Sequence, residues 1–311
     1  MTTKAGSNLE RVLAEGHFAL TAEVGPPRGP DPGAVVKKAG LIKGVADAYN
    51  VTDNQTAVVR MSSIAASKIL VDQGLEPIMQ MVCRDRNRIA LQSDLLGAHA
   101  LGIRNCLCLS GDHQSAGSGG KLQGHPGAKN VFDIDSIQLV SVVQGLRDDA
   151  VQEGGDSIDP AAPFFIGAAW TPLGPPEKFR TIRLAKKVDA GADFVQTQAV
   201  YDIPRFAEAV KRAEDAGLTE RTAILAGIIL PRSAGMLKYM DANVPGIDVP
   251  ESMIQRLQSA SDAKQEGIRI ALELIDAVRN IPGIRGVHLQ AIEAEGMLPD
   301  IIEAAGLLPR P

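Results

Sequence analysis

The sequence is poor in cysteine, in aromatic residues and in long apolar runs, and each scarcity argues against a class of protein. Three cysteines occur among 311 residues without a Cys-x-x-Cys pair, which argues against a disulfide framework and predicts a reducing, cytoplasmic compartment. No run of about 18 apolar residues is present, so no membrane span is predicted. Aromatic residues make up only 4%, which suits a core built from Val, Ile, Leu and Ala.

Charge is nearly balanced, with 32 Lys and Arg against 37 Asp and Glu and a formal net charge of -5. A chain without a basic surplus neutralises few phosphates, so we expect no nucleic-acid partner. Hydrophobic residues at 45% and charged residues at 22% are typical of a globular protein.

Neither a Gly-x-Ser-x-Gly nucleophile elbow nor a Gly-x-x-x-x-Gly-Lys-[Ser/Thr] phosphate loop is found, which argues against an α/β-hydrolase and a P-loop nucleotide site.

Short apolar runs alternate with amphipathic helical stretches along the chain. The runs predicted as strands cover residues 18–24, 46–52, 77–83, 103–109, 164–170, 194–198, 223–229 and 286–290. Helices are predicted over 33–43, 60–74, 87–101, 135–151, 176–190, 203–216, 232–242 and 295–306, with an additional helix at 264–275 before the last strand. This alternation predicts an α/β fold, a single (β/α)8 TIM barrel over residues 1–311. The alternative is an open doubly wound sheet, but the Gly-rich loop typical of that fold is missing after the first strand.

Polar residues at the carboxyl ends of the predicted strands are the first candidates for a site, because these ends converge on one face of a barrel. They are Glu23, Thr52, Gln80, Asp112, Trp170, Gln198 and Glu293. Glu23 stands between apolar neighbours, where desolvation would raise its pKa and suit it to proton donation. A structural ion pair is the alternative for Glu23, and a turn or helix cap is the alternative for Asp112.

A Gly-, Ser- and His-rich run over residues 111–127 follows the fourth predicted strand, and a loop of this length on that face is typical of a functional segment. Cys106 and Cys108 alternate along the same strand, where core packing is the expected role and a metal or redox role the alternative. His113 and His125 share the loop without a close metal-ligand spacing, so no metal is predicted.

Several short motifs resemble, in order and spacing, those of the methylenetetrahydrofolate reductases. The resemblance covers residues 18 to 306. The motifs are Glu23-Val24-Gly25-Pro26-Pro27, Asn50-Val51-Thr52-Asp53, Ser110-Gly111-Asp112, Lys187-Val188-Asp189-Ala190-Gly191-Ala192-Asp193, Thr197-Gln198 and Gly227-Ile228-Ile229-Leu230-Pro231.

The resemblance implies a flavoprotein oxidoreductase of one-carbon metabolism that acts on a tetrahydrofolate. Such a barrel holds a flavin, usually FAD, and interconverts 5,10-methylenetetrahydrofolate and 5-methyltetrahydrofolate by hydride transfer at flavin N5. Glu23 then falls on the glutamate that protonates the folate, Asp112 on the aspartate between flavin and folate, and Gln198 on the glutamine that binds the pterin. The positions implied for flavin contacts are Thr52, Gln80, Ser110, Gly111, Asp112, Asp135, Trp170 and Lys187.

Departures from the better-known bacterial members leave the flavin and the electron source open. This chain has Ser110, Gln80 and Trp170 where those members have Arg, His and Tyr. Arg180 replaces an acidic flavin contact, and Ala294 replaces an Arg associated with substrate or nicotinamide. The run Gly-Val-His-Leu-Gln-Ala-Ile-Glu resembles a divergent branch of the family found in one-carbon and demethylation pathways.

FMN is therefore the alternative to FAD, and the reductant is NADH, NADPH or an electron-transfer partner protein. Two other functions stay open: a folate-binding barrel methyltransferase, and a reductase subunit that needs a partner protein for electrons. A homo-oligomer is expected, because barrels often assemble through their outer helices.

Overall fold

Eight parallel strands pair in chain order and close into a barrel. The computed structural model describes residues 3–115 and 124–311, and the strands lie within these ranges. They are β1 Ala19–Val24, β2 Ala48–Val51, β3 Pro77–Val82, β4 Asn105–Leu109, β5 Phe165–Trp170, β6 Phe194–Ala199, β7 Ala223–Ile229 and β8 Ile284–Gln290. The predicted (β/α)8 barrel is confirmed.

Helices surround the barrel, and the additional helix predicted before the last strand is confirmed as α10. In the described part of the chain the helices are α1 Asn8–Ala14, α2 Pro32–Ile42, α3 Ser63–Asp72, α4 Arg88–Ala100, α5 Ser136–Gln144, α6 Glu177–Asp189, α7 Ile203–Asp215, α8 Ala234–Asn243, α9 Glu251–Ser259, α10 Ala263–Arg279 and α11 Leu298–Ala304. In residues 3–115 and 124–311 no helix combines the length and the apolar character needed to cross a bilayer.

Three helical segments differ from the sequence prediction. The short helices α1 and α9 were not predicted, because seven and nine residues give too few turns for a clear helical period. The helix predicted over 135–151 ends as an α-helix at Gln144, where a π-helical turn, Gly145–Asp149, follows.

The lower half of the barrel interior is apolar. Alternate strand positions point inward, and the lowest inward layer includes Ala19, Ala48, Ile78, Leu107, Phe165, Phe194 and Leu225. Phe165 and Phe194 stack with their ring centroids 5.2 Å apart. Gly167 leaves room for this pair, since a Cβ there would lie 2.4 Å from the Phe194 ring.

A polar layer lies above this apolar base and closes the interior below the mouth. Gln196 exchanges hydrogen bonds with Asn50 at 2.6 and 3.0 Å and donates to Thr21 Oγ1 at 3.1 Å. Thr21 Oγ1 also lies 2.9 Å from His288 Nδ1. Burial lowers the pKa of His288 to about 4, so this imidazole is neutral at pH 7. Glu23 lies two residues beyond Thr21, so it shares the inward face at the mouth of the barrel.

Candidate functional site

A cavity of about 370 Å³ opens at the carboxyl ends of β3 to β6, beside helix α6. This volume lies within the range of roughly 300–1,000 Å³ typical of small-molecule sites. The cavity brings together seven of the ten residues that the resemblance assigns to the site: Gln80, Ser110, Gly111, Asp112, Trp170, Lys187 and Gln198. Glu23, Thr52 and Asp135 are not among its lining residues.

The turn after β4 requires glycine at position 111. Gly111 has a φ of +89°, a conformation that L side chains rarely adopt. A Cβ there would lie 3.0 Å from Val82 Cβ and 3.1 Å from Arg84 Cβ. Asp112 follows on this turn, exposed, and its carboxylate accepts a hydrogen bond from the backbone N–H of Thr56 at 3.3 Å. The turn therefore brings backbone close to the cavity and presents a carboxylate at its rim.

An arginine that sequence reasoning missed supports this turn from below. Arg84 is 3% exposed and donates to the backbone carbonyl of Asp112 and to that of Asn54, each at 3.1 Å. Buried Asp53 accepts from Arg86 Nη1 at 2.7 Å and from the backbone N–H of Val82 at 3.1 Å. Asp53 belongs to a motif identified in the sequence. The spacing of the motifs did not indicate that Arg86 would bind Asp53 or that Arg84 would bind the turn after β4.

One face of helix α6 lines the cavity with cations. Arg180, Arg183 and Lys187 recur at i, i+3 and i+7, a spacing that could have identified the group from the sequence. Lys187 donates to the carbonyl of Ala169, and burial, with a smaller effect of Arg183, lowers the pKa of Lys187 to about 8. Arg180 donates to the backbone carbonyls of Gly174 and Pro175.

Trp170 contacts the backbone of helix α6, and Asp135 lies near an arginine side chain of the same helix. The indole N–H of Trp170 donates to the carbonyl of Arg180 at 3.2 Å, which fixes the ring at the cavity wall. Asp135 is exposed and caps helix α5, accepting from the backbone N–H groups of Ile137 and Gln138 at 2.8 and 2.9 Å. Its other carboxylate oxygen lies 3.9 Å from Arg183. Asp135 can thus influence the cavity through Arg183 while it serves as a helix cap.

Gln198 lies at an irregularity of β6. The pairing with β7 shifts register between Gln196 and Ala199, and strand bulges of this kind often re-aim side chains next to active sites. The Gln198 Oε1 accepts from the backbone N–H of Ala199 at 3.1 Å. Its amide nitrogen has no hydrogen-bond partner within residues 3–115 and 124–311, so it can donate to a ligand.

Two hydroxyl groups complete the candidate set. Ser110 Oγ lies 3.1 Å from Ser136 Oγ, which also lines the cavity. Thr52 is 2% exposed, and its Oγ1 is buried without a hydrogen-bond partner in the part of the chain that the structure describes. Such an orphaned group usually signals a partner that the protein chain itself does not supply.

Glu23 lies on the other side of the mouth, on β1, among charged side chains. Burial and, to a lesser extent, nearby Glu295 raise the pKa of Glu23, Lys38 and Arg60 lower it, and the net result is a pKa of about 7. Its carboxyl forms no hydrogen bond or ion pair within the described ranges. The desolvation predicted for Glu23 is present. The alternative, a structural ion pair of Glu23, is not found among the described residues. This carboxyl is about half protonated at neutral pH.

The cysteines and the loop histidines are further polar candidates within the described residues. Cys83, Cys106 and Cys108 are buried free thiols, and burial raises the pKa of Cys83 to about 12, so these thiols pack as core residues. His113 Nδ1 lies 2.7 Å from Ser115 Oγ. Residues 116–123 of the Gly-rich run lie outside the described residues. Across the described ranges no group of three or more His, Cys, Asp or Glu side chains could hold a metal ion.

The fold and cavity define a (β/α)8 barrel with a cation-lined ligand cavity at the carboxyl ends of its strands. A model of the methylenetetrahydrofolate reductase family matches residues 8–306. The chain belongs to this family.

Curated relatives match the chain over part of their own length. A probable methylenetetrahydrofolate reductase (NADPH) of Caenorhabditis elegans is 26% identical over 262 residues, which are 82% of this chain and 36% of the relative. Methylenetetrahydrofolate reductase 2 of Schizosaccharomyces pombe is 28% identical over 265 residues, which are 79% of this chain and 38% of the relative. The chain thus spans little more than a third of the length of these relatives.

Solved structures share the fold at low sequence identity. A Clostridium thermocellum protein, described as binding two copies of 5-methyl-5,6,7,8-tetrahydrofolic acid, superposes with a TM-score of 0.66 at 13% identity, covering 97% of this chain and 100% of its own. The EDTA monooxygenase of Chelativorans sp. BNC1 superposes with a TM-score of 0.52 at 12% identity, covering 93% and 94% of the two chains. These similarities show that the barrel fold is shared.

Proposed function

We propose that this chain is a flavin-dependent methylenetetrahydrofolate reductase that interconverts 5,10-methylenetetrahydrofolate and 5-methyltetrahydrofolate. The observation that carries the proposal is the pairing, at one barrel mouth, of a cation-lined cavity with a carboxyl on β1 whose pKa is raised mainly by burial. The family match and the name of the nematode relative support the same reaction. The methyltetrahydrofolate bound by the Clostridium protein supports a folate as the ligand.

The cavity fits a flavin on several counts. Arg183 and Lys187 offer positive charge for phosphate, and Gly111 lets the backbone approach a flat ring closely. Thr52 does not line this cavity, and its buried Oγ1 has no hydrogen-bond partner among the described residues, so its flavin contact stays a prediction. A bound flavin supplies hydride transfer at its N5. Gln80, Ser110, Asp112 and Trp170 would contact it from the cavity wall, and Asp135 would act through Arg183.

Glu23 is the proposed proton donor. Ring opening of the methylene bridge needs a proton on a folate nitrogen. A carboxyl with a pKa near 7 still carries a proton at neutral pH and can donate it there. The product of this step is an iminium cation on the folate. In the opposite direction the Glu23 carboxylate accepts the same proton.

Asp112 and Gln198 are the proposed partners of the reacting folate. The Asp112 carboxylate, held by the Thr56 N–H, places a negative charge at the rim of the cavity where it stabilises the cationic iminium. The amide nitrogen of Gln198 donates to the pterin, because its oxygen is already used by the backbone of Ala199. Specificity for a pterin would follow from this fixed amide orientation.

Spectroscopy of the full chain tests the proposal. We expect purified protein to show flavin absorption, and chromatography of the released chromophore to identify FAD, the family's usual flavin, rather than FMN. Reduction is then followed with NADPH, which the nematode relative's name includes, with NADH, and with a protein donor. A colourless protein that takes up neither flavin would overturn the proposal, and methyl transfer to a corrinoid without flavin would establish the methyltransferase instead.

A further inference from the structure

The segment after β8 brings a second carboxylate to the side of the barrel mouth where Glu23 lies. Glu295 begins the short 3-10 helix Glu295–Met297, and its side chain is 12% exposed. It forms an ion pair with Lys38 of helix α2, with 3.0 Å between Lys38 Nζ and Glu295 Oε1. None of the motifs that identify the family includes either residue.

Lys38 also connects this ion pair to the loop that carries Glu23. Its Nζ donates to the backbone carbonyl of Gly25 at 3.2 Å, two residues after Glu23. The same ammonium group therefore joins three elements: the end of β1, helix α2 and the segment after β8. Arg60 donates to the carbonyl of Pro26 at 3.1 Å and holds the next peptide of the same loop.

We propose that Glu295 and Lys38 form a positioning pair for Glu23, in which Lys38 anchors the loop after β1 and Glu295 both holds Lys38 in place and adds a negative charge to the surroundings of the Glu23 carboxyl. This inference rests on the proposed function for its significance in catalysis. Neither residue is assigned to contact the folate or the flavin.

Among residues 3–115 and 124–311, the charged groups that act on Glu23 are Glu295, Lys38 and Arg60, and their signs oppose one another. Glu295 disfavours the Glu23 carboxylate, while Lys38 of α2 and Arg60 of the segment before α3 favour it. Asn50 of β2, which pairs with Glu23, is uncharged. Arg28 and Glu293 act on Arg60. Burial has the largest effect on the pKa of Glu23, and Glu295 has the next largest.

The two substitutions should shift the pKa of Glu23 in opposite directions. A non-specific disturbance of the structure around Glu23 would not be expected to do so. Glu295→Gln removes a like charge, so Glu23 should titrate at lower pH. Lys38→Met removes an opposite charge, so Glu23 should titrate at higher pH. A tenfold change in the ionisation constant would reduce the protonated fraction at pH 7 from about one half to about one tenth, and folate reduction would fall about fivefold. Glu293→Gln, an exposed neighbour acting on Arg60, is the matched control.

The test is a pH titration of Glu23 by carbon-13 NMR on the full chain with labelled glutamate side chains, assigned with Glu23→Gln and recorded without folate. We expect a lower midpoint in Glu295→Gln, a higher one in Lys38→Met and an unchanged one in Glu293→Gln. An unchanged midpoint in Glu295→Gln, or shifts of the same sign in both variants, would overturn the inference. The titration does not depend on catalytic activity. A protein that is inactive toward folate would therefore refute the proposed function, while the titration would still test the role of Glu295 and Lys38.

Discussion

The ammonium group of Lys187 donates a hydrogen bond to the backbone carbonyl of Ala169, which fastens helix α6 to the strand that forms the cavity wall. This contact places a partly desolvated cation at the side of the cavity, in line with Arg183 one turn earlier. The same helix fixes Trp170 through the carbonyl of Arg180. One helix thus supplies both the positive charge and the orientation of the large aromatic side chain.

Lys187→Met should weaken flavin binding by tenfold or more, because a charge-assisted contact to phosphate contributes about 1.5–3 kcal/mol. Because burial lowers the pKa of Lys187 to about 8, the wild-type affinity should also fall as the pH rises above 8. The measurement is flavin affinity of the apoprotein by fluorescence quenching. Lys186→Met, at the exposed neighbouring position, is the control and should bind flavin normally. Equal affinities in the two variants would exclude Lys187 from the flavin site.

Glu23→Gln should retain flavin and lose about 10²- to 10⁴-fold in folate reduction, the usual contribution of a general acid. The pKa of Glu23 is raised to about 7, so its proton is available below pH 7 and is lost above it. Wild-type folate reduction should therefore decline above pH 7, and this dependence should disappear in the variant. Stopped-flow reoxidation of the reduced flavin by methylenetetrahydrofolate gives both results. Near-normal rates in Glu23→Gln would remove Glu23 from its role as acid.

Asp112→Asn should raise the flavin reduction potential and slow turnover with folate. Loss of a carboxylate near the flavin favours the more negative reduced form, and the cationic iminium loses the anion proposed to stabilise it. The potential is measured by equilibration with a reference dye. Asp156→Asn, an exposed carboxylate between α5 and β5, is the control. An unchanged potential together with full activity would refute the assignment of Asp112.

Gly111→Ala should destabilise the protein by about 1–3 kcal/mol, because alanine is strained at a φ of +89° and its Cβ would lie 3.0 Å from Val82 Cβ. Denaturant unfolding measures this loss in the free energy of unfolding, and flavin affinity should fall with it. Gly154→Ala, where φ is ordinary and no atom lies within 4 Å of the added Cβ, should cost little. Equal stability of both variants would contradict the account of this turn.

The barrel could be predicted from the sequence because its signal is local. Each strand is a short apolar run, each helix except α1 and α9 has a visible period, and the order of elements then allows few topologies. The break of α5 into a π-helical turn at Gly145 could not be predicted, since it depends on which residues pack around the helix end.

The candidate site was predicted in part for a related reason. Residues at strand ends, such as Gln80 and Gln198, must converge on the mouth of a barrel and were identified by position alone. Arg84 and Glu295 were missed because each acts through a contact distant in sequence, with Asp112 in one case and with Lys38 in the other. The resemblance implies that Asp135 contacts the flavin; in the structure Asp135 caps helix α5, and its role at the flavin stays a prediction.

Anaerobic mixing of the purified, flavin-loaded chain with 5-methyltetrahydrofolate tests the central claim most directly. This half-reaction needs neither a nicotinamide nor a partner protein, so it separates the folate chemistry from the identity of the electron donor. The account predicts bleaching of the oxidised flavin absorption with formation of methylenetetrahydrofolate, lost in Glu23→Gln. The account would be contradicted if the bound flavin stays oxidised under saturating 5-methyltetrahydrofolate and if the reduced flavin is not reoxidised by methylenetetrahydrofolate.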